Sequence, residues 1–124
     1  MSGAADALMG IFGFKRVEGK QMKTDRELLE LAARAAGIDG EYSKRANAIV
    51  HTGGYFMPLT NDSDALQLAV ALKLDIQFFD GYSEIQVDSD GINSATVEPY
   101  APDMQAATRR AIVRAAAAIG EAMK

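Results

Sequence analysis

Residues 58–79, PLTNDSDALQLAVALKLDIQFF, contain a turn, a capped helix and a strand entered directly from that helix. Asn61 or Asp62 supplies the cap, and Asp64 in the first turn suits the positive end of the helix dipole. From Ala65 to Leu74 only Gln67 and Lys73 are polar. A helix so apolar around its circumference needs cover on most of its surface, from a sheet and other helices or from a partner chain. Ile76, Phe78 and Phe79 continue as a strand. Strand, helix, strand with short joints is a crossover unit, so the two flanking strands are expected to lie parallel in one sheet.

Upstream, Thr24 and Glu27 form a capping box. Leu28, Leu31, Ala32, Ala35 and Ala36 follow at helical spacing and Gly37 provides the left-handed stop, which predicts a helix over 25–36. Ala48 to His51 and Tyr55 to Met57 flank Gly53-Gly54 and read as a hairpin. The polar stretch Glu41 to Asn47 fits a weak edge strand or a loop. Downstream, Asp80-Gly81 and Asp90-Gly91 are turn signals between Ile76–Phe79, Glu84–Asp88 and Ala95–Tyr100, a pattern that suits an antiparallel meander. Asp103 then caps a long final helix, with Ala106, Ile112, Val113, Ala116, Ile119 and Met123 along one side. The fold class expected is α+β: three main helices packed on a small mixed or antiparallel sheet, an α/β sandwich.

The chain has 124 residues, enough for one domain that buries roughly two-thirds of its unfolded surface. Residues 22–124 carry all the patterns above. Residues 1–21 differ: Gly3, Gly10, Gly13 and Gly19 punctuate a short apolar patch of Leu8, Met9, Ile11, Phe12 and Phe14. Three readings of this extension stand side by side: a short amphipathic helix docking on the body, a flexible arm, or a start upstream of a natural first residue at Met22. The apolar patch lacks the basic n-region and small-residue cleavage site of an export signal. No apolar run approaches the ~20 residues of a membrane span. With no cysteine and no sign of export, the cytoplasm is the expected setting.

Chemistry is thinly represented. The absence of cysteine excludes disulfide frameworks and thiol nucleophiles, and a metal centre normally needs more His or Cys than the single His51. No G-x-S-x-G elbow accompanies that histidine. Asn61-Asp62-Ser63-Asp64 and Asp88-Ser89-Asp90-Gly91 resemble the opening of a calcium loop, but neither reaches the closing glutamate, so a helix cap and a turn are the simpler readings. No phosphate-cradling glycine loop is present, because Gly53-Gly54 leads into a strand. No catalytic residue, metal site or cofactor is therefore expected.

One cluster remains. Arg109, Arg110 and Arg114 gather near the start of the last helix, where guanidinium groups could clamp a phosphate or carboxylate. The simpler reading is a solvated face paired with nearby acids, each pair contributing little. A formal charge of −4 makes nucleic acid a minority partner.

Taken together, ELLELAARAAGI (27–38), PLTNDSDALQLAVALKLDI (58–76) and AATRRAIVRAAAAIGEAM (106–123) resemble small phage and prophage proteins of the phage ABA-sandwich domain family. The resemblance covers about residues 22–124. Members of that family commonly carry tryptophan in the strand before the proline, where this chain has Phe56 and Met57. The resemblance implies an α/β sandwich and a bacterial or prophage gene, and it brings no activity and no functional residues. The function expected is that of a non-catalytic accessory protein binding a host or phage protein, or a second copy of itself in a homodimer. A module for a small anionic ligand such as a nucleotide is the alternative.

Overall fold

The computed structural model describes residues 23–89 and 95–123. The extension over 1–21 and the Asp90-Gly91 turn lie outside the described residues.

Helix α1 spans Asp25–Ala36, with the expected capping box at Thr24 and Gly37 in the left-handed conformation at its end. Leu28, Leu29, Ala32 and Ala33 form its buried stripe. Strands β1 (Glu41–Ser43), β2 (Ala48–His51) and β3 (Gly54–Phe56) make the first antiparallel sheet. Tyr42, Ile49 and Phe56 are aligned across it on one face, and Glu41, Val50 and Tyr55 on the other. Ile49 and Phe56 are buried, whereas Val50 and Tyr55 face solvent. The side-chain period of two thus divides core from surface.

Helix α2 spans Asp62–Leu72; Asn61, not Asp62, is its cap, and its side chain accepts a hydrogen bond from the Asp64 amide at 2.8 Å. Lys73 ends the helix in the left-handed conformation, two residues short of the apolar run. Strands β4 (Asp75–Phe79), β5 (Glu84–Asp88) and β6 (Thr96–Pro99) then form the second antiparallel sheet, the meander read from the turn signals. Helix α3, Met104–Ala122, is capped by Asp103.

The α+β class is the observed one, with its strands divided between two sheets. The parallel crossover is not formed. β3 pairs only with β2 and β4 only with β5, so the strands flanking α2 belong to different sheets. Each strand finds its partner across the nearest turn, and these local pairings leave α2 as a bridge between sheets.

Helix α3 is the central element. Ala111, Ile112, Val113, Ala115, Ala116 and Ala117 are buried on it, and it packs against α1, α2, β5 and β6. The first sheet covers α1 through β1 and β2. At Gly120 the two helices come close: a Cβ placed there would overlap the Leu31 carbonyl oxygen. The alanine-rich run of α3 lets two helices meet at backbone distance, which larger side chains would prevent.

Candidate functional site

The three arginines of the expected cluster are turned to three different elements. Arg109 donates from Nε to the Leu59 carbonyl at 2.9 Å and from Nη1 to Asp62 Oδ1 at 2.6 Å, so it ties α3 to the entry of α2. Arg110 donates from Nη2 to Asp25 Oδ1 at 3.1 Å. The other oxygen of Asp25 accepts from Asn47 Nδ2 at 3.3 Å, and Asn47 Oδ1 accepts from the Tyr42 hydroxyl at 2.7 Å. This chain links α3, the start of α1 and the β1–β2 turn. Arg114 donates from Nη1 to Glu98 Oε2 at 2.7 Å and to the Val97 carbonyl at 3.1 Å. The guanidinium groups hold the fold's own acids and carbonyls, and they do not converge on a common point.

Arg114 answers a local problem. The register places Glu98 opposite buried Ile85, on the inward face of the second sheet, and its side chain is only 16% exposed. Removing Arg114 leaves a carboxylate desolvated and unpaired. Arg114→Ala is expected to lower stability by about 1–2 kcal/mol, less than for a buried pair because both groups retain some water. Adding Glu98→Gln should recover most of that loss in urea unfolding. A double variant no more stable than Arg114→Ala alone would show that the carboxylate is not the cause.

The remaining polar motifs act in the scaffold. The His51 Nδ1 accepts from the Gly53 amide at 3.2 Å and braces the hairpin turn. Asp64 Oδ2 accepts from the Met57 amide at 2.8 Å, fixing the chain between β3 and α2. With Asn61 as a cap and Asp62 on Arg109, the 61–64 segment is organised as a helix entry. Among the described residues no group of three or more His, Asp or Glu lies together in a way that could hold a metal ion.

Tyr100 donates its hydroxyl to Asp80 Oδ1 at 2.8 Å, joining the end of β6 to the turn after β4. Partial desolvation, with the hydrogen bond and negative charge of Asp80, raises the phenol above its ordinary value of 10.0. A raised folded value favours the protonated form. Its contribution is therefore present below the ordinary phenol range and is lost as pH rises through the folded value. The stability difference between the wild type and Tyr100→Phe should stay constant through neutral pH and narrow above about pH 10. A gap that does not change between neutral and strongly alkaline pH would refute the assignment.

The larger departure from the sequence reading concerns α2. Ala65, Leu68 and Ala69 are buried, but Leu66 is 61% exposed and Val70 67%. The expected cover over most of this helix is absent within the described chain, because α2 packs mainly on α3 and edge strand β4 does not extend over it. β4 shows the same gap from the other side. Ile76 and Phe78 point the same way as buried Val87 and Ile85, yet Phe78 is 52% exposed.

Between these surfaces lies an open groove of about 470 Å³. Ala65 and Leu66 of α2, Ile76 and Phe78 of β4, and Met104 and Ile112 of α3 line it, with Asp62, Gln105, Thr108 and Arg109 completing the wall. It is a continuation of the hydrophobic core that opens to solvent. The apolar excess of α2 is visible in the sequence without marking Leu66, and Phe78 and Met104 join that residue at the groove only through tertiary packing. Among the described residues no helix is long and apolar enough to cross a membrane. No protein-family model, curated protein or solved structure matches the chain.

Proposed function

We propose that this is a non-catalytic accessory protein of a phage or prophage that acts by binding another protein, and that the groove between α2, β4 and α3 is its binding surface. The observation that carries this reading is the exposure of Leu66, Phe78 and Met104 around one concave apolar surface. Contiguous apolar surface of this kind is costly to leave in water and is characteristic of sites that receive a partner. The groove offers shape and hydrophobicity, with Gln105, Thr108, Asp62 and Arg109 as polar groups that could set orientation. Recognition of an apolar segment of a partner fits this chemistry, as when an amphipathic helix seats in a hydrophobic groove. The phage or prophage setting is supported by the resemblance of the α1, α2 and α3 segments alone. The anionic-ligand alternative would need Arg109, Arg110 and Arg114 released from the partners they hold.

Affinity capture from the host, comparing wild type with Leu66→Glu, tests this reading. Leu66 is largely in water, so a charge there should leave folding intact by circular dichroism while placing an unpaired carboxylate in any interface. A discrete protein retained by the wild type should be lost by at least tenfold with Leu66→Glu. Equal retention by both chains would remove the groove from the interaction.

A further inference from the structure

We propose that the groove is occupied, in the absence of a partner, by the chain's own N-terminal segment, through the apolar residues between Leu8 and Phe14. This deepens the reading of the groove as a protein-binding surface and makes the segment a tethered competitor for it. Three observations converge on this occupant.

The first is chemical match. Leu8, Ile11 and Phe12 recur at helical spacing, with Met9 and Phe14 beside them. They form the one compact apolar cluster in the part of the chain that precedes the described structure. Apolar anchors at spacings of three and four are what a hydrophobic groove accepts. A groove of about 470 Å³ has room for several such side chains.

The second is reach. Lys23, where the described chain begins, reaches Glu121 near the end of α3 at 3.3 Å, while Asp25, two residues on, pairs with Arg110 in its first half at 3.1 Å, so the path from Glu121 is the longer one to be spanned. The groove adjoins the first half of the same helix, at Met104, Thr108 and Ile112. Thirteen helical residues separate Thr108 from Glu121, or roughly 20 Å along the axis. The nine residues from Phe14 to Lys23 span up to about 30 Å when extended. The link is long enough to arrive and short enough to hold the segment at high effective concentration.

The third is charge. Residues 1–22 contain Lys15, Arg16 and Lys20 against Asp6 and Glu18, one net positive charge. The remaining ten basic and fifteen acidic residues leave the body at −5, against −4 for the whole chain. Lys15 and Arg16 directly follow the apolar cluster; on the groove wall Asp62 is already paired with Arg109, so the attraction is that of the acidic body as a whole. Attraction between a basic segment and an acidic body favours docking and weakens with salt.

The absence of cysteine makes the test direct. A nitroxide attached to Gly13→Cys in the full chain should abolish or strongly reduce the methyl signals of Leu66 and Met104 by paramagnetic broadening, while that of Val50, on the outer face of the first sheet, is reduced far less. Phe12→Ser/Phe14→Ser in the same labelled chain should restore the groove signals. Groove signals untouched by the label would overturn the proposal. So would broadening that appears only when labelled and isotope-enriched chains are mixed, since the occupant would then be a second copy. The two readings also separate. If the label leaves the groove unaffected while Leu66→Glu still abolishes partner capture, only self-occupancy fails. If the label broadens the groove but no partner is retained, self-occupancy stands and partner binding fails. If both stand, the Phe12→Ser/Phe14→Ser chain should bind the captured partner more tightly than the wild type.

Discussion

Leu29→Ala is expected to lower the free energy of unfolding by about 3–4 kcal/mol. Leu29 lies in the middle of α1, is wholly buried, and belongs to the continuous core that joins α1, the first sheet, α3 and β5. Truncation removes the transfer free energy of three carbons and leaves a void. The void persists to the extent that the surroundings cannot close on it. Here they are held: α1 is pinned at its start by the capping box and the Asp25–Arg110 pair, and farther along by backbone contact between Leu31 and Gly120. A helix fixed at both places cannot settle into a cavity between them. Since small domains have about 5–15 kcal/mol in total, the variant should lose a large part of its stability. Its melting temperature should fall by roughly 10–20 °C. Urea unfolding followed by circular dichroism measures this directly. A loss under about 1 kcal/mol would mean that α1 is not locked to α3 as described.

Gly120→Ala should reverse an ordinary rule. Within a helix, replacing glycine by alanine is usually stabilising by about 0.5–1 kcal/mol, because it restricts the unfolded backbone. At Gly120 the new methyl would overlap the Leu31 carbonyl oxygen and fall 2.8 Å from its carbonyl carbon. Both are backbone atoms, so no rotamer change relieves the overlap; α1 and α3 must separate along the contact. Overpacking of this kind costs about 1–3 kcal/mol and also loosens the alanine contacts on either side. A net loss of about 2 kcal/mol is expected, with a second substitution such as Leu29→Ala losing part of its separate effect because the two sites share one interface. Equal or higher stability for Gly120→Ala would contradict the close approach of the two helices.

Both effects depend on α1 and α3, the elements most legible from sequence. Thr24, Glu27 and Gly37 mark α1 through local hydrogen bonding and a left-handed residue, and local chemistry of that type does not await tertiary context. Asp103 marks α3 in the same way. The hairpin at Gly53-Gly54 and the meander after Asp80-Gly81 follow from turn residues between short strands. The expected placement of β3 and β4 in one parallel sheet fails for a related reason. A crossover pattern describes what a helix can connect, whereas pairing is decided by which edges meet, and here each strand closes on its sequence neighbour.

The candidate site was legible only in part. The composition of α2 announced that its apolar surface exceeds what a helix of a small domain can bury, without saying which side chains would be left out. Arg109, Arg110 and Arg114 looked like a cluster because they are close in sequence. Arg109 points about 100° away from Arg110 around the helix, whereas Arg110 and Arg114 share a face and are separated by the partners that pack there; each meets a different acid contributed by another element. Phe78 has the sequence signature of a core residue and also the sheet orientation of one; it is exposed because the helical layer ends before it.

The sequence by itself determined the helices, their caps, the turns, the alternation of the strands and the surplus of apolar surface on α2, all of which arise from interactions within a few residues. Tertiary structure alone decided that the strands divide into two sheets, that Gly120 meets Leu31, that the three arginines are held by separate partners, and that Leu66, Phe78 and Met104 frame one groove. Those outcomes depend on how much area each layer can cover once α3 occupies the centre, a property of the whole packing that no local pattern encodes.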